Sequence, residues 1–154
     1  MKGGEIMKTQ HIIFGIIAVL LIGGGFFLFN DQSTPKIAPS VESTSSAKFQ
    51  NRYLAYSSEN LAKAQSNNGK AVIFFHAGWC PTCRAAEQDF SVNFDKVPAD
   101  VTILKTDYDS STQLKSKYNV TYQDTFVQVD KNGNEITKWN SGGQGVGALL
   151  ANLK

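Results

Sequence analysis

The stretch AVIFFH, residues 71–76, constrains the fold more than any other part of the chain. A strand turns successive side chains to opposite faces, so a run that is apolar at nearly every position has to be covered on both. The run is short, β-branched and aromatic, which suits a strand rather than a helix. It reads as an interior strand of a sheet with layers on either side. The flanking segments supply those layers. RYLAY (52–56) reads as a short strand, and Ser57 or Ser58 as the cap of a helix that runs to about Gln65 and stops at NNG. A further helix, CPTCRAAEQDFSVNF, opens at Cys80, with Pro81 in the first turn, where its missing N–H costs nothing. VTILKTDY (101–108) reads as a second central strand and STQLKSKY (111–118) as a helix. TFVQVD and NEITKW flank KNG as a hairpin. GQGVGALLANLK is a weak C-terminal helix, with three glycines against it. The order β-α-β-α-β-α-β-β-α describes an α/β layered domain over residues 49–154. A domain of about 100 residues buries a core without needing disulfides. The net charge of +2, with acids and bases interspersed, argues against a nucleic-acid binder.

Two segments precede this domain. HIIFGIIAVLLIGGGFFLF, residues 11–29, has no Asp, Glu, Lys or Arg. As a helix it would run about 28 Å, close to the roughly 30 Å hydrocarbon core of a bilayer. It is longer than a signal-peptide core, and FLFNDQ offers no small-x-small cleavage site. It reads as an uncleaved transmembrane anchor. Lys2 and Lys8 place residues 1–10 in the cytoplasm and everything after Asn30 outside it, in a periplasmic or extracellular space. Residues 30–48, rich in Ser, Thr and Pro, read as a flexible linker.

The chemistry of the domain lies in its only two cysteines, Cys80 and Cys83. As a structural staple they would close a loop of about four residues, worth roughly 2 kcal/mol against about 3–5 for longer loops. As a redox pair they have a mechanism. A helix N-terminus offers free N–H groups and partial positive charge, and both lower the pKa of a thiol placed there. Arg84, one turn on, adds to this if it points that way. Cys80 then attacks a substrate disulfide, and Cys83 resolves the mixed disulfide.

At this point FFHAGWCPTCR resembles the active site of the thioredoxin superfamily: a hydrophobic strand, a short turn, Trp, then Cys-x-x-Cys at a helix start. The resemblance covers roughly Tyr53 to Leu153. The WCPTCR string is similar to membrane-tethered, extracytoplasmic thioredoxin-like proteins, including the thiol reductants of cytochrome c maturation. It implies a thioredoxin-like fold, a central mixed sheet flanked by helices, and a protein thiol–disulfide oxidoreductase. No cofactor is implied beyond the redox-active Cys80–Cys83 disulfide. The implied partners are proteins with thiols or disulfides and a membrane or extracytoplasmic electron donor or acceptor. Trp79, Pro81, Thr82, Arg84, Asp124 and Thr125 take the supporting positions around Cys80 and Cys83.

The sequence departs from the family twice. A cis-proline usually faces the cysteines; here Asp124 stands in its place, followed by Thr125. A cis bond before Asp costs about 3–4 kcal/mol, so a trans bond and an altered loop are expected. Many thioredoxins bury an acid at the position of Phe74, where it helps deprotonate the second cysteine. That acid is absent, which leaves Lys105, at the family's basic position on the next strand, without its usual partner. Asp124 is either a substitute proton acceptor for Cys83 or a solvated loop residue. Losing the proline also opens an alternative function. Cys80, Cys83 and Asp124, with His76 as a fourth ligand, would bind or deliver a metal, copper above all, since Cu(I) accepts two thiolates alone. His76 otherwise reads as a satisfied strand-end histidine, Trp79 as a packing and substrate-contact residue, and Arg84 as solvated. Phe74, Phe75, Phe90, Phe94 and Phe126 read as core, and Tyr118 and Tyr122 as core or rim.

Overall fold

The computed structural model describes residues 41–154. Residues 1–10, the membrane anchor expected at 11–29 and residues 30–40 of the linker lie outside the described residues. Among those described, no helix is long and apolar enough to cross a membrane.

The sheet has five strands: β1 (Tyr53–Ala55), β2 (Lys70–His76), β3 (Val101–Asp107), β4 (Thr125–Val129) and β5 (Glu135–Asn140), in the order β1-β3-β2-β4-β5. β3 runs parallel to β1 and β2, while β4 is antiparallel to both β2 and β5. The helices are α1 (Val41–Arg52), α2 (Ser58–Ala64), α3 (Pro81–Asn93), α4 (Thr112–Lys117) and α5 (Gly145–Asn152). The expected α/β domain with its mixed sheet is therefore present. β2 is the central strand, as its composition requires. Val72 and Phe74 enter the core shared with α3 and α5, while Ala71, Ile73 and Phe75 enter the core on the other face. The second core is completed by Ala64 and Leu61 of α2 and Leu114 of α4.

The linker expectation needs correction at its C-terminal end. Residues 41–48 belong to α1, so the ordered domain starts before Phe49. Ser and Thr are poor helix formers, and composition alone favours coil. Docking decides otherwise. Phe49 stacks on Tyr53 at 4.6 Å between ring centroids and meets the edge of Phe94 at 5.5 Å. Arg52 lies over the Phe94 ring at 4.8 Å and donates to the carbonyls of Pro98 and Val101 at 2.6 and 3.0 Å. Tertiary packing of one face outweighs weak propensity.

A ladder of three rings crosses the sheet beneath α3. The register sets Phe74 opposite Phe126 and Phe126 opposite Trp139. The first pair stacks at 4.1 Å and the second at 5.6 Å, each with an interplanar angle of 8°. Burying each ring contributes about 1.5–3 kcal/mol, with about 0.5–1.5 more for the ring pairing.

The weak C-terminal helix forms because of one of the glycines that counted against it. A Cβ on Gly145 would lie 2.4 Å from the Ala86 carbonyl oxygen and 3.1 Å from the Phe90 ring. Glycine thus lets α5 start hard against α3, where Asp89 Oδ2 accepts the Val146 N–H at 2.7 Å. Gly145→Ala is expected to destabilise the domain by about 1–3 kcal/mol through overpacking, although alanine is the better helix former by about 1 kcal/mol. Urea unfolding of the two proteins checks this; an unchanged or higher midpoint would contradict the close packing.

Candidate active site

Cys80 is the N-cap of α3. Its backbone is extended, with φ −78° and ψ 119°, and its sulphur accepts the Cys83 N–H at 3.1 Å. The thiol does here what a Ser or Asp oxygen does at most helix starts. Pro81 occupies the first helical turn, as expected. Thr82 Oγ1 lies 3.2 Å from the Cys80 sulphur. Both thiols are free in this structure, with Cys80 1% and Cys83 0% exposed.

Their environments push the two thiols apart. Burial works against a Cys80 thiolate, but hydrogen bonds from Cys83, from Thr82 and from the Cys83 N–H outweigh it, and the Cys80 pKa falls below the ordinary thiol value. Burial raises the Cys83 pKa. The Ala77 N–H offsets this only in part, and Cys80 and Asp124 add to the rise. One sulphur is prepared to ionise and the other holds its proton, which is the division of labour of an attacking and a resolving thiol.

The supporting residues are placed as follows. Trp79 is 59% exposed, with its indole N–H donating to Asp109 Oδ2 at 2.8 Å. Tyr122 is the exposed tyrosine and Tyr118 the buried one. Arg84 does not turn toward Cys80; its Nη1 donates to the Gly78 carbonyl at 2.8 Å and braces the turn before the cysteines. Thr125 is buried, and its hydroxyl donates to the Tyr122 carbonyl at 2.7 Å.

Asp124 is not a solvated loop residue: it is 1% exposed. Its backbone has φ 60°, a left-handed conformation that Asp tolerates better than most residues. Its N–H donates to the Phe75 carbonyl at 3.0 Å, and its carbonyl accepts the Ser141 N–H at 3.0 Å. Ser141 Oγ donates to Oδ1 at 2.7 Å and the Gly143 N–H to Oδ2 at 3.0 Å. Both carboxylate oxygens are thus occupied in holding the turn that leads to α5. Among the described residues no group of three or more His, Cys, Asp or Glu is placed to hold an ion, so nothing here supports the metal alternative.

Lys105 has a partner after all, which the sequence reading missed. Glu87 on α3 accepts from Lys105 Nζ at 2.6 Å through Oε1, and its Oε2 lies 3.2 Å from His76 Nε2. Burial opposes the Glu87 charge, yet Lys105 holds the carboxyl below its ordinary pKa. The stability this contributes is present at neutral pH and is lost as pH falls from the ordinary carboxylate range through the folded value. Two signals were available. Glu87 follows Cys83 by four positions, one helical turn, and a lysine on an interior strand asks for an acid. His76 departs from expectation too: its buried Nε2 has no hydrogen-bond partner among the described residues.

Residues 53–154 match the thioredoxin family model. Thioredoxin H2 of Arabidopsis thaliana is 36% identical over 74 residues, 48% of this chain and 54% of that protein. The match thus spans about half the length of that relative. Mitochondrial thioredoxin-3 of Saccharomyces cerevisiae is 31% identical over 108 residues, 68% of this chain and 84% of that protein. The crystal structure of the same yeast protein in its oxidized form superposes with a TM-score of 0.50 at 27% identity, covering 68% of this chain and 94% of that one. Trxlp of Edwardsiella tarda, at 23% identity, shares the fold with a TM-score of 0.53, over 64% of this chain and 95% of its own.

Two outcomes are expected. Thr82→Val removes a hydrogen bond to the Cys80 sulphur, so the pH midpoint for alkylation of Cys80 should rise; an unmoved midpoint would show the contact to be idle. Asp124→Pro forces φ to about −65° and deletes the N–H that Phe75 accepts, so it should destabilise the domain by more than about 1 kcal/mol. Thermal unfolding would detect it, and a stabilised variant would contradict the left-handed geometry.

Proposed function

The chain belongs to the thioredoxin family, and from that premise we propose that it is a protein thiol–disulfide oxidoreductase acting through Cys80 and Cys83. The Cys80 thiolate attacks one sulphur of a substrate disulfide, the other leaves as a thiolate, and a mixed disulfide remains. Cys83 then attacks the Cys80 sulphur, the Cys80–Cys83 bond forms, and the reduced substrate departs. The reverse sequence oxidises a dithiol. The pair needs no cofactor beyond its own disulfide. The observation that carries this reading is the Cys80 sulphur capping α3 at 3.1 Å from the Cys83 N–H.

Exposed Trp79, beside Cys80, is the residue we assign to substrate contact, with Pro81 and Thr82 shaping the cap and Arg84, Asp124 and Thr125 holding the loops around it. The setting is part of the proposal. The uncharged run 11–29, preceded by Lys2 and Lys8, supports a single-pass anchor with a cytoplasmic N-terminus and the domain in the periplasmic or extracellular space. Its substrates would be proteins with thiols or disulfides, and its redox partner a membrane or extracytoplasmic donor or acceptor.

A Cys83→Ser variant of the full chain leaves the mixed disulfide unresolved. It is expected to accumulate disulfide-linked complexes that dissolve on reduction and are lost when Cys80 is also replaced by Ser. Absence of such complexes, together with failure of the parent protein to reduce a protein disulfide, would overturn the assignment.

A further inference from the structure

β2 and β3 end side by side. His76 lies opposite Asp107 in the register, and the Tyr108 N–H donates to the His76 carbonyl at 2.8 Å. From there one chain runs on to the cysteines and the other forms the loop that leads to α4. One side chain bridges the two. The Trp79 indole N–H donates to Asp109 Oδ2 at 2.8 Å. Tryptophan has a single donor, on the edge of its ring, so this bond fixes the edge and leaves the faces free. Trp79 is 59% exposed and directly precedes the attacking cysteine. A large ring that is held in place yet open to solvent is suited to contact with a partner.

The carboxylates beside this ring have no cationic partner. Asp107 and Asp109 are both exposed, and among the described residues neither takes part in an ion pair. Asp107 Oδ1 accepts only the N–H and hydroxyl of Ser110, at 2.8 and 2.6 Å. The cations nearest in the chain are turned elsewhere. Arg84 donates to the Gly78 carbonyl, and Lys115 Nζ lies over the Tyr108 ring at 4.3 Å. An aromatic face with a carboxylate at its edge suits one kind of side chain. An ammonium or guanidinium group is attracted by the ring and by the acid together, whereas an acidic group is repelled by both.

We propose that Trp79 and Asp109 are specificity-determining residues that select protein disulfides with a lysine or arginine beside the reacting cysteine. This rests on the oxidoreductase reading above and names its substrate class. The basic side chain lies on the indole face with its charge against Asp109, while Cys80, one residue along, meets the disulfide sulphur. Asp107 adds a second negative charge at the same end of the sheet. Neither Trp79 nor Asp109 forms or breaks a bond. Their effect belongs to the first step, the attack by Cys80, and the exchange chemistry is otherwise as written above.

Peptides whose single cysteine is joined to nitrothiobenzoate isolate that step. The Cys80 thiolate attacks the peptide sulphur, the mixed disulfide forms, and nitrothiobenzoate leaves as a coloured thiolate because its thiol is the more acidic. Three peptides differ only in the residue beside the cysteine: lysine, glutamine or glutamate. Each rate is divided by that of dithiothreitol on the same peptide, which removes differences in intrinsic reactivity. With the reduced full-length protein, the lysine peptide is expected to react about tenfold faster than the glutamine peptide, and the glutamate peptide more slowly than either. The lysine advantage should shrink in about 1 M salt. Asp109→Asn keeps an oxygen for the indole N–H and loses the charge, so the lysine-to-glutamine ratio should fall to about threefold, the share of the ring. Trp79→Ala should lower the ratio as well. A merely structural role would slow all three peptides alike and leave the ratio where it was. A ratio of one in the parent protein, or a ratio that neither substitution moves, would overturn the proposal and leave the oxidoreductase reading standing. Failure of the parent protein to release the coloured thiol from any of the three peptides would strike that reading instead.

Discussion

The structure turns on one hydrogen bond, from the Cys83 N–H to the Cys80 sulphur. It fixes where α3 begins and gives a buried thiol a reason to ionise. A helix start leaves amide donors without partners, and an anion that collects them is stabilised by their direction and by the summed peptide dipoles. A sulphur used as a cap is therefore both a structural element and a reactive one. The strand that precedes it delivers the chain to that point, and Arg84 braces the intervening turn through the Gly78 carbonyl.

Beneath the cysteines the sheet had to reconcile two demands. Its middle is built from stacked rings, Phe74, Phe126 and Trp139, which need a dry setting. Dithiol chemistry needs charged and titratable groups nearby. Here the polar groups sit toward one edge of the ring stack, where β1, β3 and the inner face of α3 meet, and the carboxylate comes from the helix rather than from the central strand. Lys105 and Glu87 satisfy each other at 2.6 Å, each partly exposed, so neither carries an unpaired charge into the core.

Asp124 shows how a loop can be held without the family's proline. A proline fixes a loop through its ring; the aspartate does it through hydrogen bonds to Phe75, Ser141 and Gly143. These link the loop before β4 to the turn after β5, both next to the cysteines. The arrangement leaves a negative charge near two sulphurs, which opposes ionisation of each. The cap contacts have to overcome that opposition at Cys80, and at Cys83 nothing does.

How much of this was legible follows from the range of the interactions. The strand AVIFFH, the cap at Cys80, the proline after it and the hairpin around KNG rest on neighbours within a few residues, and the sequence carried each of them. α1 did not, because Phe49 and Arg52 make a helix of a Ser- and Thr-rich stretch only once Phe94 and Val101 are there to dock against. Gly145 counted against α5 until the Ala86 carbonyl was seen to need the space. The partner of Lys105 lies 18 positions away and those of the Asp124 carboxylate 17 and 19 away. By itself the sequence determined the order of strands and helices from β1 onward and which sulphur caps α3, because hydrophobic periodicity and helix capping act locally along the chain. Only the tertiary structure decided which charges meet and which stay unpaired, because those pairings depend on how α3 and the loops pack over the sheet.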